Sequence, residues 1–178
     1  VLQFSLQPFL KESFPFFLLT LFSLAASRAD VYLLSIWEEA ATLAQYQILV
    51  NFIQYAHLLA TGIMIPFLKN IFRLQFDSIQ QLERQFIKLG WALGLCLTAG
   101  IYFIAHFLYQ FEMSYTVITL IYINIVVFYF YFLRIPAGFS FNKMWSVILV
   151  MACMGGTNLL LGTLIIPTLG MIGGLMSS

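Results

Sequence analysis

Arg28 and Asp30 stand inside an apolar run, residues 14–36, that is long enough to cross a bilayer as a helix. A charge at that depth costs about 2.5 to 3.5 kcal/mol on insertion scales, so it persists where a partner, a water-filled cavity or a ligand compensates it. If the helix ends near Trp37, Asp30 lies about 10 Å and Arg28 about 13 Å below that interface, at 1.5 Å per residue. Two positions apart, they point to different sides of a helix and do not neutralise each other. The chemistry on offer is a guanidinium that can hold an anion and a carboxylate that can accept hydrogen bonds or hold a cation.

A second group follows in the run 43–68. Gln47, Asn51, Gln54, His57 and Thr61 recur there at spacings of three and four, which places them along one helical face. Counted from Leu43, Asn51 is about 12 Å below the interface, so Arg28, Asp30, Asn51 and Gln54 are expected in one layer. The blander reading has Asp30 accepting an interhelical hydrogen bond, Arg28 snorkelling, and the stripe bonding neighbours at about 0.6 kcal/mol per contact. Five polar residues in register favour a cavity wall instead. The candidate substrate-binding residues are therefore Arg28, Asp30, Asn51, Gln54 and His57.

Nothing in the sequence points to catalysis, a metal or a cofactor. His57 and His106 lie on different helices with no nucleophile or ligand spacing beside either, so the chain reads as a non-enzyme. Cys96 and Cys153 fall in apolar runs and read as small core residues.

The elements that must carry these residues follow from composition. Of 178 residues 62% are hydrophobic and 8% charged, with a mean hydropathy of +0.95. A soluble domain needs about a quarter of its residues charged, so this chain belongs in lipid. A net charge of +1 without a basic patch excludes a nucleic-acid partner. The expected fold is all-α, a polytopic bundle of five complete spans and the start of a sixth: 14–36, 43–68, 89–109, 115–133, 144–166 and 171–178.

Between the second and third spans, residues 69–88 put Phe72, Phe76, Ile79, Leu82 and Phe86 on one line and Arg73, Asp77, Gln80, Arg84 and Lys88 on the opposite one. That is the pattern of an amphipathic helix lying on a membrane surface. Gly90, Gly94 and Thr98 form a small-residue line for close helix approach, and Gly155, Asn158 and Gly162 another. Thr119 and Asn124 read as packing residues, and residues 134–143 as a short loop. Alternating loops put Lys11, Lys69, Arg73, Arg84, Lys88, Arg134 and Lys143 on one side, which the positive-inside rule makes cytoplasmic. Both ends look cut, so the chain is read as part of a larger protein.

Several segments resemble the second half of a polysaccharide or O-antigen (Wzx-like) flippase of the multidrug/oligosaccharidyl-lipid/polysaccharide exporter superfamily. They are Asn158 to Gly174 with its Leu-Ile-Pro-type corner at Pro167, the span from Pro15 to Asp30 with Tyr46 beyond a short loop, and Ile65-Pro66-Phe67-Leu68. Where that family has a Gly shortly before the loop Tyr, this chain has Ala44-Gln45. The resemblance implies two helix bundles facing across a cavity that opens alternately to each side, this chain being most of the second and a missing first half completing it. It implies a bacterial inner-membrane protein, in contact with membrane lipids, that carries an undecaprenyl-diphosphate-linked oligosaccharide outward for O-antigen or capsule synthesis. Arg28 would then hold the diphosphate, with Asp30, Asn51, Gln54 and His57 on sugar hydroxyls or a coupling cation. The competing readings are a cation-coupled drug or metabolite antiporter that uses Asp30, and a non-transporting assembly subunit.

Overall fold

The computed structural model describes residues 6–71, 73, 76–135 and 144–177. These hold six helices: α1 (Leu6–Trp37), α2 (Ala40–Ile71), α3 (Phe76–Tyr109), α4 (Tyr115–Tyr131), α5 (Met144–Leu169) and α6 (Met171–Ser177). The chain is all-α over these residues.

The expected count of spans is corrected. Among the described residues three helices are long and apolar enough to cross a membrane, Ala40–Phe67, Ser78–Tyr109 and Trp145–Leu169, in place of five and the start of a sixth. The apolar stretch Ser13–Phe22 within α1 and the helix Tyr115–Tyr131 are shorter. The seventeen residues of α4 rise about 26 Å, short of the roughly 30 Å of a hydrocarbon core. Where the sequence suggests the beginning of another span, the described residues form α6, Met171–Ser177, which packs against α5. Apolar runs in a sequence mark what avoids water; they do not say whether lipid or protein takes its place.

Boundaries differ where local signals mislead. Pro15 suggests a helix start, yet α1 begins at Leu6 and carries Pro15 as an interior, buried residue. The expected break near residue 89 is absent too, because α3 runs without interruption from the amphipathic stretch into the apolar one. The apolar line of that stretch meets the protein itself: Ile79 and Phe86 are buried, and the Phe86 ring lies 5.1 Å from that of Tyr129 on α4. The loop expected at 134–143 lies, from Pro136 onward, outside the described residues, as does Phe72.

Three corners set the topology. Glu38 donates its amide to Leu34 O at 2.8 Å, which ends α1, and α2 begins two residues later. At the end of α3 Gln110 takes a φ of 51°, and the Phe111 amide returns to Ala105 O at 3.1 Å. Ser114 then caps α4, its Oγ accepting from the Val117 amide at 3.3 Å. At Gly170 φ is 55°, the left-handed value with which helices commonly stop, and its amide bonds Ile166 O at 2.8 Å. A Cβ there would collide with the Glu38 carboxylate, so the α1–α2 corner sits directly over the α5–α6 corner.

Helix α1 packs along α5, and α3 along α4, with α6 wedged among α5, α4, α1 and α2. Close approach is bought by small residues. A Cβ on Gly90 would lie 2.5 Å from Tyr129 Cβ, one on Gly94 3.0 Å from Val126 Cγ2, and one on Gly162 2.7 Å from Leu33 Cδ1. Around them Leu34, Tyr46, Leu49, Ala60, Ile121, Ile125, Tyr129 and Ile166 are fully buried.

Arg134 Nε donates to Glu83 Oε1 at 2.6 Å, tying the end of α4 to the polar side of α3. Arg134 is 59% exposed, so Glu83→Gln is expected to change unfolding free energy by less than about 1 kcal/mol. A denaturant titration with and without 0.5 M salt checks this, a larger or salt-independent loss contradicting it.

Candidate functional site

The Asp30 side chain is 2% exposed and faces α2, where Tyr46 Oη donates to its Oδ2. The two meet because the helices are antiparallel about a tight corner. Asp30 is seven residues before Trp37 and Tyr46 six after Ala40, so both lie about 9 to 10 Å from the turn at 1.5 Å per residue. The backbone amides of Asp30 and Val31 lie close to the carboxyl and interact with it. Asp30 Oδ1 has no hydrogen-bond partner among the described residues.

That carboxylate borders a cavity of about 640 Å³ between α2, α4, α5 and α6. Polar groups reach it from every wall: Gln54 and His57 from α2, Asn124 from α4, Thr157 and Asn158 from α5, and Ser177 from α6. Tyr131 and Cys153 also line it, and the rest is apolar, with Val50, Ile53, Phe128, Leu149, Val150 and Met154 among it. The His57 ring stacks on Phe128 at 3.9 Å between centroids and 10° between planes, and bonds the backbone at Asn124. Its Nε2 is buried without a hydrogen-bond partner among the described residues. Thr61 Oγ1 ties off the His57 carbonyl at 2.9 Å, and Ser177 Oγ bonds Gly174 O at 3.0 Å, closing the short helix beneath the cavity.

Of the five residues singled out from sequence, Asp30, Gln54 and His57 share this cavity, whereas Arg28 and Asn51 do not line it. Arg28 is exposed and bears on Asp30 only through space. Asn51 is exposed because the stripe is not straight. At about 100° per residue, Asn51 and His57 stand about 120° apart around the α2 axis, and the buried face of Tyr46, Leu49, Ile53, Ala60 and Met64 lies beyond His57. Asn51 is also deeper than a start at Leu43 implies, about 16 Å from Ala40.

Tyr46, Asn124, Asn158 and Ser177 are the site residues that sequence reasoning passed over. Equal depth on either side of the α1–α2 corner is the signal that pairs Tyr46 with Asp30. No comparable signal places Ser177, which depends on α6 turning back. The two cysteines are not core residues: both are free and exposed, and Cys153 lines the cavity. Among the described residues no three His, Cys, Asp or Glu side chains gather as a metal site would require. The arrangement offers a carboxylate oxygen, an imidazole nitrogen and three side-chain amides inside apolar walls, a set suited to binding hydroxyls or a cation by hydrogen bonds.

Compared with protein-family models, curated proteins and solved structures, the chain matches none.

Proposed function

We propose that the chain is one bundle of a membrane transporter, a flippase of the polysaccharide-exporter kind, which moves an undecaprenyl-diphosphate-linked oligosaccharide across the bacterial inner membrane. The observation that carries this reading is the 640 Å³ cavity, polar on several walls, set beside two helices with the length and apolarity of membrane spans. Sugar hydroxyls are donors and acceptors at once, and Asp30, Gln54, His57 and Asn124 offer both complements. A first bundle completes the cavity, the basic loops face the cytoplasm, and no bond of the glycan is made or broken. Because Arg28 lies outside the cavity, the diphosphate is not held there together with the sugars. The same fact supports a second reading, cation-coupled antiport through Asp30.

The test is leaflet translocation of the lipid-linked oligosaccharide in proteoliposomes containing the full protein. Gln54→Ala and His57→Ala are each expected to lower the initial rate about tenfold, the equivalent of one or two lost hydrogen bonds, and Arg28→Ala less than about twofold. Full rates in both cavity variants would overturn the flippase reading. A rate that also vanishes without a cation gradient assigns Asp30 to coupling.

A further inference from the structure

A second hollow, of about 710 Å³, lies between α3 and α4 on the far side of α4 from the first, and neither reading above uses it. Helix α3 brings Thr98, Tyr102 and His106 to it at four-residue intervals, and α4 brings Tyr115, Thr119 and Tyr122. Phe103 adds another ring and Glu112 a carboxylate, from the loop between the two helices.

Three observations define an occupant. First, the full negative charge among the lining residues is Glu112, exposed and outside any ion pair among the described residues. The faces of Tyr102, Phe103, Tyr115 and Tyr122 carry the negative lobes of their quadrupoles, so charge and rings together favour a cation at the loop end. Second, Thr98 is 6% exposed and its Oγ1 has no hydrogen-bond partner among the described residues, which leaves a hydroxyl in the deep half of the hollow. Third, Leu95, Ala99 and Ile118 form apolar wall beside it. Thr98 is eleven residues before Tyr109, about 16 Å along the helix, too long a reach for a small amine alone. An amphiphile with a cation at the loop end, an oxygen acceptor further in and an apolar tail meets all three conditions.

We propose that this hollow is a binding site for a phospholipid with a primary ammonium headgroup. Glu112 accepts its N–H groups, the rings enclose the charge, Thr98 donates to an ester carbonyl, and the acyl chains leave along Leu95 and Ile118. A quaternary headgroup has no N–H for the carboxylate, and a phosphoglycerol headgroup presents only negative charge to it. The inference depends on the chain residing in a membrane and not on what it transports.

The experiment is native mass spectrometry of the full protein from micelles doped with equal amounts of dioleoyl phosphatidylethanolamine, phosphatidylcholine and phosphatidylglycerol. Ethanolamine lipid is expected to be retained about fivefold over either of the others, the equivalent of one hydrogen bond to Glu112. Glu112→Gln brings the ratio near one, and Tyr115→Ala, at a residue 90% exposed, lowers it without disturbing packing. Thr98→Val reduces retention of the ethanolamine lipid severalfold. Equal retention of all three lipids by the wild type, or an unchanged preference in Glu112→Gln, would overturn the proposal. Displacement of the lipid by low-millimolar free ethanolamine overturns it in favour of a soluble amine, and displacement by a lipophilic drug cation assigns the hollow to substrate.

Discussion

Gly173→Ala is expected to lower unfolding free energy by about 1 to 3 kcal/mol, the range of an overpacked core position. Its added Cβ would stand 2.9 Å from the Ile165 carbonyl oxygen and 3.0 Å from Ile166 Cα, both backbone atoms of α5 that no rotamer change can move. Relief comes only by lifting α6 away from α5, and α6 also holds Gly174 against Leu34 and the Tyr46 ring. Gly156→Ala is the matched comparison, since nothing lies within 4 Å of its Cβ position. There the helix gains up to about 1 kcal/mol of intrinsic propensity. Unfolding by detergent titration, followed through the helical signal, separates the two. Equal midpoints for both variants would mean that α6 is not packed on α5 as described. Gly162→Ala belongs between them, because the atom it meets is the flexible end of Leu33.

The contrast among these glycines shows what a sequence displays and what it conceals. The small-residue line Gly90, Gly94 and Thr98 was legible as a close-packing face, since spacings of four name a helix face without reference to any partner. The partner was not legible: only the fold shows that α4 receives it. The all-helical class followed from composition for the same reason, being a property of the chain alone. The number of spans did not, because the 17 residues of α4 read like a span until the turns around them are known. The candidate site divides the same way. Asp30 stood out because an acid inside an apolar run needs compensation wherever the run is placed. Arg28 stood out for that reason too, yet the packing leaves it outside the cavity, and the drift of the α2 stripe takes Asn51 with it. Residues lying on one face of a helix need not meet one cavity when that face turns through about 120° over six residues.

Tyr46→Phe and Asp30→Asn together test whether the buried pair is a fastener, a binding group, or both. Tyr46 is fully buried, so the Phe variant keeps the ring packed against α6 and removes only the Oη donor from Asp30 Oδ2. A buried acceptor stripped of its donor costs about 1 to 3 kcal/mol. Asp30→Asn retains an oxygen that can still accept from Tyr46 and costs less. The double variant is expected to fall short of the sum by about 0.5 to 3 kcal/mol, the coupling of two groups in direct contact. Transport separates the roles. If the pair only fastens α1 to α2, both variants translocate lipid-linked oligosaccharide at wild-type rate once compared at equal folded protein. If Asp30 Oδ1 serves the cavity it borders, Asp30→Asn slows translocation about tenfold while Tyr46→Phe does so only to the extent that it displaces the carboxylate. The second outcome is expected, because one oxygen already suffices to hold Tyr46 and the other has no hydrogen-bond partner among the described residues.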